Sequence, residues 1–437
     1  MIRSWMLVGA TVLLIAAGGA VAAEAVPSRP SVDAPELARL GPHAVGVASL
    51  ILIQKGQPDV LAPVGPDGKL PLRDRVLPID IWYPAQIAKG AKRAAYFGTL
   101  PGEPPRPPVP FSIPGLAVRG AVATAGSFPL VVVSHGYSGT PSGMTWLTEN
   151  LASKGYVVVA IHHRDPDYSN RAQSVEPLFR RPLDIAFVAR SLLNLKDPAL
   201  AGADRGRMAL IGYSMGGYGV LTDAGASLDP HSPLASTIPG GAMVPYLRGG
   251  ALAGTLLVPG LKAVVAISPA GAGNGAWTGG GLSGITAPVL LIGGDRDHTV
   301  GFAASIQPVF DQATASDRYL LVFQNAGHAI GMSSVPPTMR DRLWDQDWFE
   351  DPIWRHELIN GVEQHMITAF LDRFVKGDTS RSAYLDTDVA ISDNAVWPKD
   401  GPPGYDPFSP GGAGATWKGF RKGHNGGLEL HHKPPGS

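Results

Sequence analysis

Met208-Ala209-Leu210-Ile211-Gly212-Tyr213-Ser214-Met215-Gly216-Gly217 decides how this chain folds. An uncharged, apolar run of strand type ends in Gly-x-Ser-x-Gly, and the residues beyond it suit a helix. A serine placed on such a strand, tight turn, helix step is lifted above the sheet edge, and the flanking glycines let strand and helix pass closely. Ser214 is therefore the candidate nucleophile. The chain holds 55 glycines, so the short pattern arises readily by chance and needs partners.

Working outward, Pro288 to Gly293 reads as a strand running into Gly294-Asp295-Arg296-Asp297-His298. Tyr319 to Phe323 reads as another running into Asn325-Ala326-Gly327-His328. Asp297 is favoured as the acid over Asp295, which suits a turn cap, and His328 is the general base. The order Ser, Asp, His, each just past a strand, is that of α/β-hydrolases and differs from the trypsin-type and subtilisin-type orders. Upstream, Phe128 to Ser134 leads into His135-Gly136-Tyr137-Ser138-Gly139. That loop suits an oxyanion hole, whose two backbone N–H donors are assigned to Tyr137 and Met215. His135 is read as a packed residue shaping the loop and not as a second base.

Strands at 129–134, 156–161, 207–212, 263–268, 288–293 and 319–323 alternate with helices at 143–153, 183–194 and after Ser214, and Trp354 to Val375 reads as a closing helix. This is an α/β fold with a mostly parallel central sheet, helices on both faces and ligands at its carboxyl edge. Ala44 to Ile53 and Val76 to Tyr83 read as an early hairpin. Seven prolines between Pro101 and Pro114 make 101–115 an extended loop, either a rigid linker or a cleft wall. Residues 225–260 are a candidate lid insertion, and 377–437 a Gly- and Pro-rich tail read as loop or disorder covering little core.

From Leu77-Pro78-Ile79-Asp80-Ile81-Trp82-Tyr83-Pro84 through the His135-Gly136 loop, Arg181-Pro182-Leu183-Asp184-Ile185 and the elbow to His328, the chain resembles the predicted dienelactone hydrolase group. That group is similar to platelet-activating-factor acetylhydrolases and, more distantly, to cutinase-like polyester hydrolases. The likeness spans roughly residues 45–376 and implies the triad Ser214, Asp297 and His328 with oxyanion donors Tyr137 and Met215. Two departures stand out. Dienelactone hydrolases use a cysteine nucleophile and this chain has no cysteine, and the 225–260 segment has no assigned counterpart.

Lys plus Arg and Asp plus Glu number 36 each, so no net field attracts nucleic acid. Arg3, an uncharged Met6 to Ala23 and Ala20-Val21-Ala22 read as a signal peptide over 1–22, cleaved so that no stable membrane span remains, with a linker over 23–43 and the catalytic domain over 44–376. The compartment is then periplasmic or extracellular. His162-His163 with Asp165 and Asp167 are read as cleft wall more than as metal ligands, Asp184 as a first-turn helix residue, and His431-His432 as solvated. Trp344, Trp348, Phe349 and Trp354 either line an acyl pocket or anchor the loop before the last helix. The expected function is ester hydrolysis of a small-molecule or lipid-like substrate with no cofactor or metal. An amidase or acyltransferase with the same residues, and a non-catalytic hydrolase-like binding protein, are the alternatives.

Overall fold

A computed structural model describes residues 31, 33–100, 107–137, 139–166, 171–339, 348–396 and 416–437. The stretch 1–22, read from the sequence as a signal peptide, lies outside the described residues. The strands are β1 (Ala44–Pro58), β2 (Leu72–Gln86), β3 (Ala95–Leu100), β4 (Val109–Pro114), β5 (Val118–Arg119), β6 (Val122–Ala123), β7 (Phe128–Ser134), β8 (Val157–Ile161), β9 (Ala203–Tyr213), β10 (Leu261–Ile267), β11 (Val289–Gly294), β12 (Arg318–Phe323) and β13 (Leu428–Lys433). The helices that matter here are α1 (Thr145–Ser153), α2 (Val175–Leu192), α3 (Met215–Asp223), α4 (Pro233–Thr237), α5 (Gln307–Gln312) and α6 (His356–Phe374).

The main sheet runs β13-β12-β11-β10-β9-β7-β8-β2-β1-β5, with β6 on β2, while β3 and β4 form a separate hairpin. Strands β7 to β12 pair in parallel, and β1, β2 and β13 join antiparallel. Strands covered on both faces read as unbroken apolar runs, and β7 divides its side chains accordingly. Leu130 and Val132 face Phe179 and Leu183 of α2 and Tyr218 and Leu221 of α3. Val131 and Val133 face Leu147 and Leu151 of α1 and Val362, Met366 and Phe370 of α6. Each fully buried side chain of this kind contributes about 1.5–3 kcal/mol.

Strand β7 lies between β8, reached through α1, and β9, reached through α2. The chain therefore leaves the sheet in opposite directions after β7 and β9, which opens a crevice at their carboxyl ends. Both the His135-Gly136 loop and Ser214 emerge there.

Four expectations are corrected. The tail is not without core: Trp417, Phe420, Leu428 and Leu430 are buried, and β13 extends the sheet beyond β12. Leu428 and Leu430 alternate at the strand period within a Gly- and Pro-rich context that hid them. His432 is accordingly not simply solvated, because it stacks on Tyr319 at 4.2 Å and bonds Asp317 at 2.6 Å. The end of the 23–43 linker also docks, with the Leu37 N–H donating to His365 Nδ1 at 3.0 Å. Finally, the proline-rich stretch is in part a strand: β4 pairs with β3 throughout, its prolines tolerated because only one neighbour claims its N–H groups.

Candidate active site

Ser214 has φ +53° and ψ −114°, between the end of β9 and the first residue of α3. Such strain costs on the order of 1–3 kcal/mol and persists only when its surroundings fix it. Here the Ser214 N–H donates to Ile267 O at 2.9 Å, and its carbonyl accepts from Ala270 N at 3.0 Å. The glycines of the motif are needed for contact as well as conformation. A Cβ on Gly212 would lie 2.2 Å from Gly216 O, and one on Gly216 would lie 2.0 Å from Ser134 O.

Ser214 Oγ is 3.0 Å from His328 Nε2, and His328 Nδ1 is 2.7 Å from Asp297 Oδ2. The other carboxylate oxygen of Asp297 accepts from the Thr299 and Val300 N–H groups at 2.9 and 3.1 Å. Burial pushes the Asp297 carboxyl up, but the hydrogen bond and charge of His328, with the backbone donor at Val300, outweigh it and hold the group below its ordinary value. An ionised Asp297 makes Nδ1 the donor and leaves Nε2 to accept the serine proton. Asp295 instead accepts from Asn325 N at 2.6 Å, tying the loop after β11 to the loop after β12.

Two supports of the histidine loop escaped the sequence reading. Tyr213 Oη donates to His328 O at 2.8 Å, and the Gly327 N–H donates to Asp351 Oδ2 at 2.6 Å. Tyr213 was in view as the variable position beside Ser214, but nothing local says that its hydroxyl reaches the loop after β12.

Tyr137 and Met215 both line the cavity beside Ser214. Met215 opens α3, so its N–H has no acceptor within the helix and points out along the positive end of the dipole. The peptide joining Gly136 to Tyr137 is held through its carbonyl, which accepts from Gly139 N at 2.8 Å, His135 Nδ1 at 2.7 Å and Arg181 Nη2 at 3.2 Å. His135 is thus a Nδ1–H tautomer whose Nε2 accepts from His163 N at 3.4 Å. Burial, then the charge of Arg181, holds it well below the ordinary imidazole range, so it is a neutral packing residue, as expected from the sequence.

Behind this loop lies a buried polar network that the sequence reading did not foresee. His163 is not cleft wall: it is fully buried, with Nε2 at 2.8 Å from Ser134 Oγ and Nδ1 at 3.0 Å from Asp184 Oδ2. Its neighbour His162 turns away to Asp80 at 2.8 Å, and Asp167 lies outside the described residues. Nor is Asp184 in a first turn, because α2 begins at Val175 and runs through Pro182. The packed apolar face and the ion pair of Asp184 with Arg75, at 2.9 Å, outweigh the proline's lost hydrogen bond.

The cleft is a cavity of about 490 Å³. It is lined by the proline-rich hairpin, through Thr99, Leu100 and Phe111, by Met332 and Trp348, and by Ala270, Gly271, Thr299 and Val300. The hairpin is anchored by Glu149, which accepts from Tyr96 Oη at 2.6 Å and from Leu116 and Ala117 N–H at 2.8 Å. Phe349 packs edge-on against Phe111 at 5.3 Å, and Trp354 Nε1 donates to Gln324 O at 2.8 Å, so these two anchor while Trp348 lines; Trp344 lies outside the described residues. Residues 225–260, expected as a lid, supply none of the cavity lining. They pack against α2 instead, with Tyr246 against Phe179 at 6.1 Å and Leu257 O bonded to Arg190 at 2.6 Å. Met243 and Leu247 of this segment belong to the hydrophobic core.

Residues 117–239 match the family model described as PETase, PET hydrolase-like. The chain is 27% identical over 255 residues to cutinase est1 of Thermobifida alba, covering 55% of this chain and 71% of that one. It is 24% identical over 204 residues to a bis(hydroxyethyl) terephthalate hydrolase of Streptomyces coelicolor, covering 46% and 51%. In overall fold it is similar to a ferulic acid esterase from Streptomyces cinnamoneus, with a TM-score of 0.52 at 20% identity over 81% of this chain and 93% of that one. The chain has the α/β-hydrolase fold, and the proteins it is similar to are named as cutinases, a terephthalate-ester hydrolase and a ferulic acid esterase, all ester hydrolases.

Proposed function

We propose that this carboxylic ester hydrolase works through a covalent acyl-enzyme on Ser214. His328 Nε2 takes the Ser214 proton as Oγ attacks the ester carbonyl, and Asp297 holds the imidazolium that forms. The Tyr137 and Met215 N–H groups receive the oxyanion, and His328 then returns the proton to the leaving alcohol. Water, activated by the same imidazole, releases the acid. The observation that carries this reading is the hydrogen-bonded row of 3.0 and 2.7 Å opening at one end into the cavity.

The cavity favours a neutral ester with a short to medium acyl chain. Among the described residues that line it there is no Asp, Glu, Lys or Arg, and Leu100, Phe111, Val300, Met332 and Trp348 offer apolar surface. The names of the cutinase and terephthalate-ester relatives agree with uncharged substrates. Export to the periplasm or medium belongs to the same proposal and rests on the amino-terminal Arg3, Met6 to Ala23 and Ala20-Val21-Ala22 pattern. Among the described residues no helix is long and apolar enough to cross a membrane.

The test is labelling of the purified protein with an organophosphonate, followed by peptide mapping. Label on Ser214, its loss in Ser214→Ala and a fall in ester turnover of about 10⁴-fold or more are expected. Label at another serine, with turnover retained, would refute the assignment.

A further inference from the structure

The proposed oxyanion hole needs the Tyr137 N–H to point into the cavity, and that direction is tied to the carbonyl of the same peptide. In a planar trans peptide the N–H and the preceding C=O point oppositely, so whatever grips Gly136 O aims the Tyr137 N–H. The grip includes Arg181, whose guanidinium is fully buried and donates to Gly136 O at 3.2 Å and also to His135 O. Arg181 therefore holds two consecutive carbonyls of this loop from behind with one rigid fork, a geometry that a point cation does not reproduce.

The fork is itself fixed. Asp165, just past β8, pairs with Arg181, and Ser134 Oγ lies 3.4 Å from it. Ser134 is committed to His163, His163 to Asp184 and Asp184 to Arg75. A charge this deep is costly unless paired and hydrogen-bonded. The chain thus spends a buried ion pair at the one loop whose peptide plane has a chemical job.

We propose that Arg181, held by Asp165, is a positioning residue for the oxyanion hole, acting through the Gly136 carbonyl to orient and polarise the Tyr137 N–H. It touches no substrate atom. The inference rests on the oxyanion role given to Tyr137 above. Its signature is selective: transition-state binding weakens while ground-state binding does not.

The experiment compares wild type with Arg181→Lys and Asp165→Asn. Active sites are counted by phosphonate titration, so that misfolded protein drops out, and kcat per titrated site, KM and the inhibition constant of a trifluoromethyl ketone are measured. The ketone forms a tetrahedral oxyanion on the serine. Deleting one oxyanion donor typically costs about 10²–10³-fold, so a tilted one in Arg181→Lys should lower kcat by about 10–100-fold. KM should stay within about twofold, and ketone affinity should fall in proportion to kcat. Asp165→Asn should show the same split at smaller size, and it decides the matter if Arg181→Lys yields no titratable sites. An unchanged kcat per site, or a loss shared by kcat and KM with ketone affinity intact, would overturn the proposal. Failure of the wild type to titrate at Ser214 would instead remove the reading on which it rests.

Discussion

Asp297→Asn is the sharpest probe of the site, because the structure dictates how the new amide must sit. One carboxylate oxygen accepts from two backbone donors, Thr299 N at 2.9 Å and Val300 N at 3.1 Å. Placing the amide nitrogen there would set N–H against N–H twice, so the amide oxygen takes that position. The NH₂ then faces His328 Nδ1, where the wild type has an acceptor at 2.7 Å. Nδ1 must now accept, which moves the ring proton to Nε2, the nitrogen 3.0 Å from Ser214 Oγ. A protonated Nε2 cannot take the serine proton. The expected loss in kcat is on the order of 10⁴-fold, about 5.5 kcal/mol of barrier at about 1.4 kcal/mol per decade. Steady-state hydrolysis of a chromogenic short-chain ester measures it, with circular dichroism and thermal melting to show that the fold is kept. Asp295→Asn is the internal control, since its amide oxygen can still accept from Asn325 N, and its kcat should stay within a few-fold. A folded Asp297→Asn that keeps a tenth or more of wild-type kcat, or a larger loss in Asp295→Asn, would refute the tautomer argument.

Two further outcomes follow from burial. Glu363 of α6 is fully buried, neither carboxyl oxygen has a hydrogen-bond partner among the described residues, and burial alone raises it well above its ordinary value of 4.5. The folded state then keeps a proton that the unfolded chain loses above that value, so this group costs stability as pH rises from there. Glu363→Gln, neutral throughout, should raise Tm relative to wild type more at pH 8 than at pH 5; a difference that does not grow with pH would contradict the assignment. For substrate choice, kcat/KM in wild type should rise about fourfold per acyl methylene, about 0.8 kcal/mol each, until the cavity is full, and then fall. Phe111→Ala should move that maximum to longer chains while costing about 3 kcal/mol of stability in urea unfolding; an unmoved maximum would remove the hairpin from the substrate wall.

What the sequence reading found and missed divides along a physical line. Strand cores such as Val131-Val132-Val133 and Leu290-Leu291-Ile292 announce themselves, because burial on both faces leaves no room for polar residues. That Ser214, Asp297 and His328 would come together was legible for a related reason. Each must follow a strand to reach the carboxyl edge, so strand position and residue type suffice together. Residues acting across the fold carry no such mark. Arg75 reaches Asp184 from 109 positions away, and neither neighbourhood hints at the other. The start of α2 was missed because Pro182 is a helix breaker locally and is overruled by packing. β13 was missed because composition was read in place of the alternation of Leu428 and Leu430.

The two hydrogen-bonded rows in this protein show why residue type and spacing do not by themselves make a nucleophile. Ser134, His163 and Asp184 are joined by contacts of 2.8 and 3.0 Å, close to the 3.0 and 2.7 Å that join Ser214, His328 and Asp297. Yet Ser134 ends an ordinary strand and is wholly buried, whereas Ser214 stands on a strained turn and lines the cavity. The charges differ more sharply. Burial, then Arg181 and Arg75, hold His163 well below the ordinary imidazole range, so an imidazolium there would form away from solvent beside two guanidinium groups. His328 faces the carboxylate of Asp297 and opens to the cleft. The inner row holds a loop, and its Ser134 end meets Arg181, which grips the loop carrying Tyr137. On the proposal advanced for Arg181, the same three residue types serve the chemistry twice: once as the reacting groups, and once as part of the buried frame that aims a backbone N–H at them.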